Sequence, residues 1–123
     1  MQKTILIALA GLVGTLLRYW VSGAVSSRYH TFPWGTIAVN VVGCLVTGLV
    51  FGLIEEGSLV SPTIRAVILI GLLGGFTTFS AYGLQTFALL RDGAFGLALL
   101  NMALSNVLCL CLIWAGYVVA RVL

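Results

Sequence analysis

An all-α membrane protein of four transmembrane helices is the fold class this sequence predicts, and three observations predict it. Of 123 residues, 61% are hydrophobic and 7% charged, with a mean hydropathy of +1.18, whereas soluble domains are roughly 25% charged. Four apolar runs, Ile5–Ser22, Thr36–Ile54, Ile64–Leu90 and Phe95–Val119, are each near or above the roughly 20 residues that cross a bilayer as a helix. The acids, Glu55, Glu56 and Asp92, all fall at the edges of the connections. No separate soluble domain fits, so residues 1–123 read as a single four-helix transmembrane domain in the lipid bilayer.

The first run follows Lys3 and is followed by Ser22-Gly23-Ala24, a pattern that resembles a signal peptide. Arg18-Tyr19-Trp20 puts a charge and two rings where a cleavage region is small, and Tyr19 and Trp20 suit an interfacial belt, so the span is retained. Arg18 is the one cation well inside a span. It either snorkels to the interface or sits in an aqueous vestibule, and in both places it favours anions over cations.

The second run begins after Pro33 and carries Thr36, Asn40, Cys44 and Thr47 along one helical face. Such a stripe serves either amide bonding between helices or a polar pathway. Cys44, Gly48 and Gly52 recur in steps of four, as do Ala10 and Gly14 in the first span. Packing within one chain and a seam between two copies both fit that spacing.

The third run, entered after Pro62, contains Gly71-Leu72-Leu73-Gly74-Gly75-Phe76-Thr77-Thr78-Phe79-Ser80. Paired glycines weaken a helix, and a helix broken mid-membrane leaves carbonyls for protein, water or an ion to satisfy. Phe79 and Tyr82 share a face, and their ring edges carry the positive end of a quadrupole that can meet an anion. Asn40, Ser80 and Thr77 add hydrogen-bond donors without full charge, which suits an anion that must bind and then leave. Asp92-Gly93 turns the chain into the fourth run, where Asn101, Ser105 and Cys109 repeat the four-residue step.

Several function classes are excluded. One histidine, His30 in a loop, and acids only at loop edges supply no catalytic constellation, so the chain is not an enzyme. The absence of a carboxylate from every span argues equally against a proton-coupled drug or cation exporter. Six cations scattered singly make no nucleic-acid patch. Cys44, Cys109 and Cys111 lie inside spans and imply neither a disulfide framework nor a zinc pattern. Lys3, Arg65 and Arg121 lie on one side against Arg28 and Arg91 on the other, which leaves orientation unbiased, and a chain without bias inserts both ways.

Gly11-Leu12-Val13-Gly14-Thr15-Leu16-Leu17-Arg18-Tyr19, Pro33-Trp34-Gly35-Thr36-Ile37-Ala38-Val39-Asn40 and the glycine–threonine stretch of the third span occur in that order in a chain of this length. In this the sequence resembles the small bacterial fluoride channels called Fluc or CrcB. The resemblance implies a passive fluoride-selective channel of the cell (inner or plasma) membrane that exports cytoplasmic fluoride. It implies an antiparallel, dual-topology homodimer with pores along the subunit interface. It also implies a structural Na+ at the dimer centre, held by the main-chain carbonyls of Gly74 and Thr77. Asn40 would be a pore-lining donor, Thr36 and Ser80 hydroxyls on the route, Phe79 and Tyr82 the aromatic pair, Ser105 and Asn101 contributors from the fourth helix, and Arg18 a vestibule residue. Ala81, Tyr82, Gly83 and Gln85 depart from the family's usual residues, and the Tyr82 hydroxyl is a candidate to replace the one missing at Ala81. These departures leave room for one subunit of a two-chain channel. A competing reading is a non-conducting structural partner of a larger membrane complex, whose helices need packing faces but no aligned donors.

Overall fold

The computed structural model of the chain describes residues 1–56 and 60–123, and the regular structure among them is entirely helical. Helix α1 is Gln2–Ser26 and α2 is Trp34–Glu56. Helix α3, residues 62–76, runs through Pro62–Ala66, a π-helical stretch Val67–Leu73 and a last α-turn Gly74–Phe76. Helix α4 is Phe79–Arg91, and α5 is Phe95–Ala120 with a π-helical turn at Leu104–Leu108. Among the described residues four segments are long and apolar enough to cross a membrane: Gln2–Ser26, Trp34–Glu55, Pro62–Arg91 and Phe95–Ala120.

These helices extend one to four residues beyond most ends of the apolar runs, because backbone hydrogen bonding continues through Gln2, Lys3 and Ser26 after hydropathy has fallen. The connection expected from Glu55 to Pro62 lies partly outside the described residues. Its far end is plain: the Ser61 side chain accepts from Ile64 N at 3.2 Å and Pro62 opens α3, where its missing N–H costs little. Asp92-Gly93 ends α4 as the sequence requires. Gly93 has φ +76°, and bonds from Gly93 N to Leu90 O and from Ala94 N to Leu89 O close the last turn.

Packing depends on close backbone approach. A Cβ at Gly48 of α2 would run into the carbonyl of Ile113 on α5, and one at Gly52 would meet Tyr117 O at 3.0 Å. Both contacts have the same offset and advance together along the two helices, so α2 and α5 pack in parallel. On the other side, a Cβ at Gly75 of α3 would lie 2.6 Å from Gly11 O of α1. The four-residue steps of small residues therefore seat helices within one chain.

The interior is unusually polar for so apolar a chain. Val39 and Ala98 are fully buried, but so, nearly, are Thr36, Asn40, Thr86, Asn101 and Ser105. Of α1 only Gly14 is buried, and leucines such as Leu9 and Leu12 face outward, as lipid-facing side chains do.

Candidate functional site

The polar interior is organised around Thr77 and Thr78, whose backbones are extended, with φ/ψ of −79°/159° and −151°/114°, between the helical Gly74–Phe76 and Phe79–Arg91. The interruption falls on this β-branched pair, whose side chains favour extended backbone, and not on Gly74-Gly75, which stay helical. Gly75 serves the approach to α1 instead.

Several polar groups freed at this step have identifiable partners. In a continuous helix the Thr78 amide would donate to Gly74 O. Here it donates to Asn40 Oδ1 at 2.7 Å, while Asn40 Nδ2 donates to Thr78 O at 3.0 Å. One carboxamide on α2 thus pairs with both backbone polar groups of a residue on the third span, and Gly74 O loses its helical donor. Thr77 O accepts from Arg18 Nη1 at 3.2 Å. The Thr78 hydroxyl caps α4 by accepting from Ala81 N at 3.3 Å and shares a hydrogen bond with Ser80 Oγ at 3.3 Å. Leaving any one of these groups buried and unpaired would cost about 1–3 kcal/mol.

Two cavities flank the step, and Thr78 borders both. The first, of about 440 Å³, lies toward α5 and is bordered by Asn40, Thr77, Phe79, Tyr82, Ser105 and Asn106, and by Gly74. The second, of about 520 Å³, lies toward α1 and is bordered by Arg18, Thr36, Ser80, Ala81 and Gln85. The sequence-predicted residues are therefore divided between the two. Asn40 keeps one amide proton beyond its bond to Thr78 O, and the Phe79 and Tyr82 rings stand 5.1 Å apart at 54°.

A hydrogen-bonded network ties α4 to α5. The Thr86 hydroxyl donates to Tyr82 O at 2.8 Å and accepts from Asn101 Nδ2 at 2.8 Å, while Ser105 Oγ makes a long 3.5 Å contact with Asn101 Oδ1. Asn101, 1% exposed, is thereby committed to holding helices together and borders neither cavity. Asn106 Nδ2 donates to the Tyr82 hydroxyl at 3.0 Å. Tyr82 and Asn106 border the first cavity, whereas Ala81 borders the second, so the Tyr82 hydroxyl does not stand in for one at Ala81.

Thr78, Thr86 and Asn106 are the residues sequence reasoning missed. For Asn106 the cause is the π-helical turn at Leu104–Leu108, which turns it toward α4 when α-helical spacing would not. Gln85 Oε1 is buried with no partner, and nothing in the structure explains it. At the membrane surface Arg91 Nε donates to Asp92 Oδ1 at 2.8 Å, and that bond holds the Asp92 carboxyl below its usual range.

Fold and site together define a multi-pass membrane protein whose polar interior faces two cavities across the middle of its third span. The chain belongs to the CrcB family, for the family model described as "CrcB-like protein, Camphor Resistance (CrcB)" matches residues 5–117. It is 44% identical over 124 aligned positions, covering 100% of both chains, to the "Fluoride-specific ion channel FluC" of Citrifermentans bemidjiense. It is 46% identical to the protein of that name from Opitutus terrae, over 98% of this chain and 93% of that one. The Geobacter sulfurreducens protein of the same name is 44% identical over 98% of each. The cell membrane is accordingly its location.

Proposed function

We propose that the chain is a passive, fluoride-selective anion channel that exports cytoplasmic fluoride. The observation that carries this is the Asn40–Thr78 clamp, which leaves neutral donors and two aromatic rings facing a cavity in a chain similar along its whole length to relatives named "Fluoride-specific ion channel FluC". Hydrogen fluoride crosses membranes neutral, ionises in a less acidic cytoplasm and is trapped there as the anion. A pore lets the membrane potential drive that anion out at about 2.3 kcal/mol per charge per 100 mV. No coupling ion is needed, which accords with spans that carry no carboxylate away from their ends.

In this reading Arg18 concentrates anions in the second cavity, where Thr36 and Ser80 offer hydroxyls, and Asn40, Phe79, Tyr82 and Ser105 receive them in the first. The chain works as an antiparallel, dual-topology homodimer, with the Thr77–Thr78 step at mid-membrane. Phe79, 78% exposed in the single chain, is supported as an interface residue by that exposure. A structural Na+ at the dimer centre fits the donors available: neutral main-chain oxygens, with Gly74 O lacking its helical donor. Thr77 O already accepts from Arg18 and would share its second lone pair. Bound there, the ion would neutralise the partial charge of exposed carbonyls. Ala81, on the wall of the Arg18 cavity without a hydroxyl, supports a second reading, in which conduction requires a complementary chain.

The test is efflux from liposomes loaded with potassium fluoride and, in parallel, potassium chloride, with valinomycin to balance charge. Rapid fluoride release with little chloride release is expected. Release of both ions would overturn selectivity, and release of neither from folded dimers would favour the two-chain reading.

A further inference from the structure

The first cavity holds a pair of side chains that the proposed function does not use. Cys44 on α2 and Cys109 on α5 both border it, and both are half-buried. Their meeting follows from the parallel seam. The contacts Gly48–Ile113 and Gly52–Tyr117 set one constant offset between the helices, and one turn earlier that offset brings Cys44 opposite Cys109. Both thiols are thus carried on facing turns of α2 and α5, at the wall of one cavity. Far apart in sequence, they give no motif, and Cys111, two residues on, is turned to the outside.

From this juxtaposition we propose that Cys44 and Cys109 form a two-thiol site for a soft d10 cation of the Hg2+ or Ag+ class, and that its occupation obstructs the first cavity. Thiolates select soft ions. Among the described residues no group of three or more His, Cys, Asp or Glu could hold a metal, so a four-ligand zinc site is not at hand. Two sulfurs alone match the linear coordination that d10 ions accept. With mercury the step is Hg2+ + 2 RSH → RS–Hg–SR + 2 H+: two S–H bonds break, two S–Hg bonds form, both protons go to water and nothing is oxidised or reduced. With silver the bridged product, RS–Ag–SR, carries one negative charge. The mercury bridge is a neutral plug, whereas the silver bridge also sets an anion among donors that would receive an anion.

The obstruction rests on the proposed function, but the site does not, so the experiment reads them separately. Purified Cys111→Ser protein, which lacks the exposed competing thiol, is treated with mercuric chloride and gel-filtered. Retained mercury is measured per chain, and free thiols are counted after unfolding in detergent. One mercury per chain with no thiol left free is the expected result. Cys44→Ser and Cys109→Ser in the same background can hold mercury only through one sulfur, as RS–Hg–Cl, which a dithiol wash too dilute to draw mercury from the bridge should strip, returning one free thiol. Two mercuries per chain, or one with a thiol still free, would overturn the bridge. In liposomes, mercuric chloride followed by the same dithiol wash should reduce fluoride efflux of Cys111→Ser by at least about tenfold and leave the double variant lacking Cys44 and Cys111 unaffected. A bridged ion with undiminished efflux would overturn the obstruction. If the untreated protein released no fluoride, the channel reading would fail while the mercury stoichiometry still decided the site.

Discussion

The two cavities on either side of Thr78 are similar in size, about 440 and 520 Å³, and unlike in chemistry. Both are built on the same backbone step. On one side Thr78 is held by a neutral carboxamide, and the walls set amide, hydroxyl and aromatic groups among the aliphatic side chains of Leu69, Leu73, Leu110 and Ile113. On the other, Thr77 O is held by a guanidinium, and Arg18 is the fixed charge. The contrast shows how a single interruption can present two kinds of anion environment without any buried carboxylate. A full charge attracts at long range but also retains, whereas neutral donors in a confined space bind and release. Under the proposed function, attraction belongs to the Arg18 side and passage to the Asn40 side.

The change that would most thoroughly break this division is Asn40→Asp. The carboxylate could still accept from the Thr78 amide, but it would face Thr78 O with no proton to donate and set a negative charge on the neutral side. Two like charges about 4 Å apart at an effective dielectric of about 20 repel by about 4 kcal/mol. At about 1.4 kcal/mol per tenfold, occupancy of that cavity by an anion falls by nearly a thousandfold. Fluoride efflux should fall to background, while gel filtration shows whether assembly survives. Unchanged flux from a folded variant would remove Asn40 from the pathway.

A smaller effect is expected from Arg18→Gln, which removes the charge from the other side. A unit charge acting over about 4 Å of water is worth about 1 kcal/mol. Efflux should therefore drop by about fivefold at low ionic strength, and the deficit should shrink toward nothing near 1 M salt, where the Debye length is about 3 Å. A deficit that did not respond to salt would mean that Arg18 acts through its bond to Thr77 O, as part of the scaffold, and the two cavities would no longer differ in the way argued above.

How much of this arrangement was legible in the sequence depends on which physical signal carried it. The four spans were legible because hydropathy alone decides membrane crossing, and Asn40, Phe79, Tyr82 and Ser105 do border one cavity because i, i+3 and i, i+4 spacing survives in α2 and in α4. The place of the interruption was not. Gly74-Gly75 carried the familiar weakness signal, yet both stay helical, Gly75 where α1 approaches closely, and the chain opens at the next β-branched pair. No pattern in the sequence distinguishes Thr78 as the residue Asn40 would clamp, since Thr77 beside it is chemically identical. The parallel register of α2 and α5, which joins Cys44 to Cys109, depends on where Gly48 meets Ile113, and that is a contact between residues remote in the chain.

The finest division is within the first cavity, between groups that meet an anion and groups that hold the wall, and Tyr82→Phe addresses it. The Tyr82 hydroxyl accepts from Asn106 at 3.0 Å, while its ring packs against Phe79 at 5.1 Å. Removing the oxygen deletes one net hydrogen bond, worth about 1 kcal/mol. Asn106 Nδ2 still donates to Met102 O at 2.7 Å, so the amide is not left empty. If the hydroxyl serves the wall and the ring edge serves the anion, thermal stability should fall by a few degrees and fluoride efflux should stay within about twofold of the parent, since about 1.4 kcal/mol is needed for a tenfold change. A larger loss of flux at unchanged stability would place the phenolic proton on the route, and the aromatic side of the cavity would then conduct by hydroxyl donation as well as by ring edges.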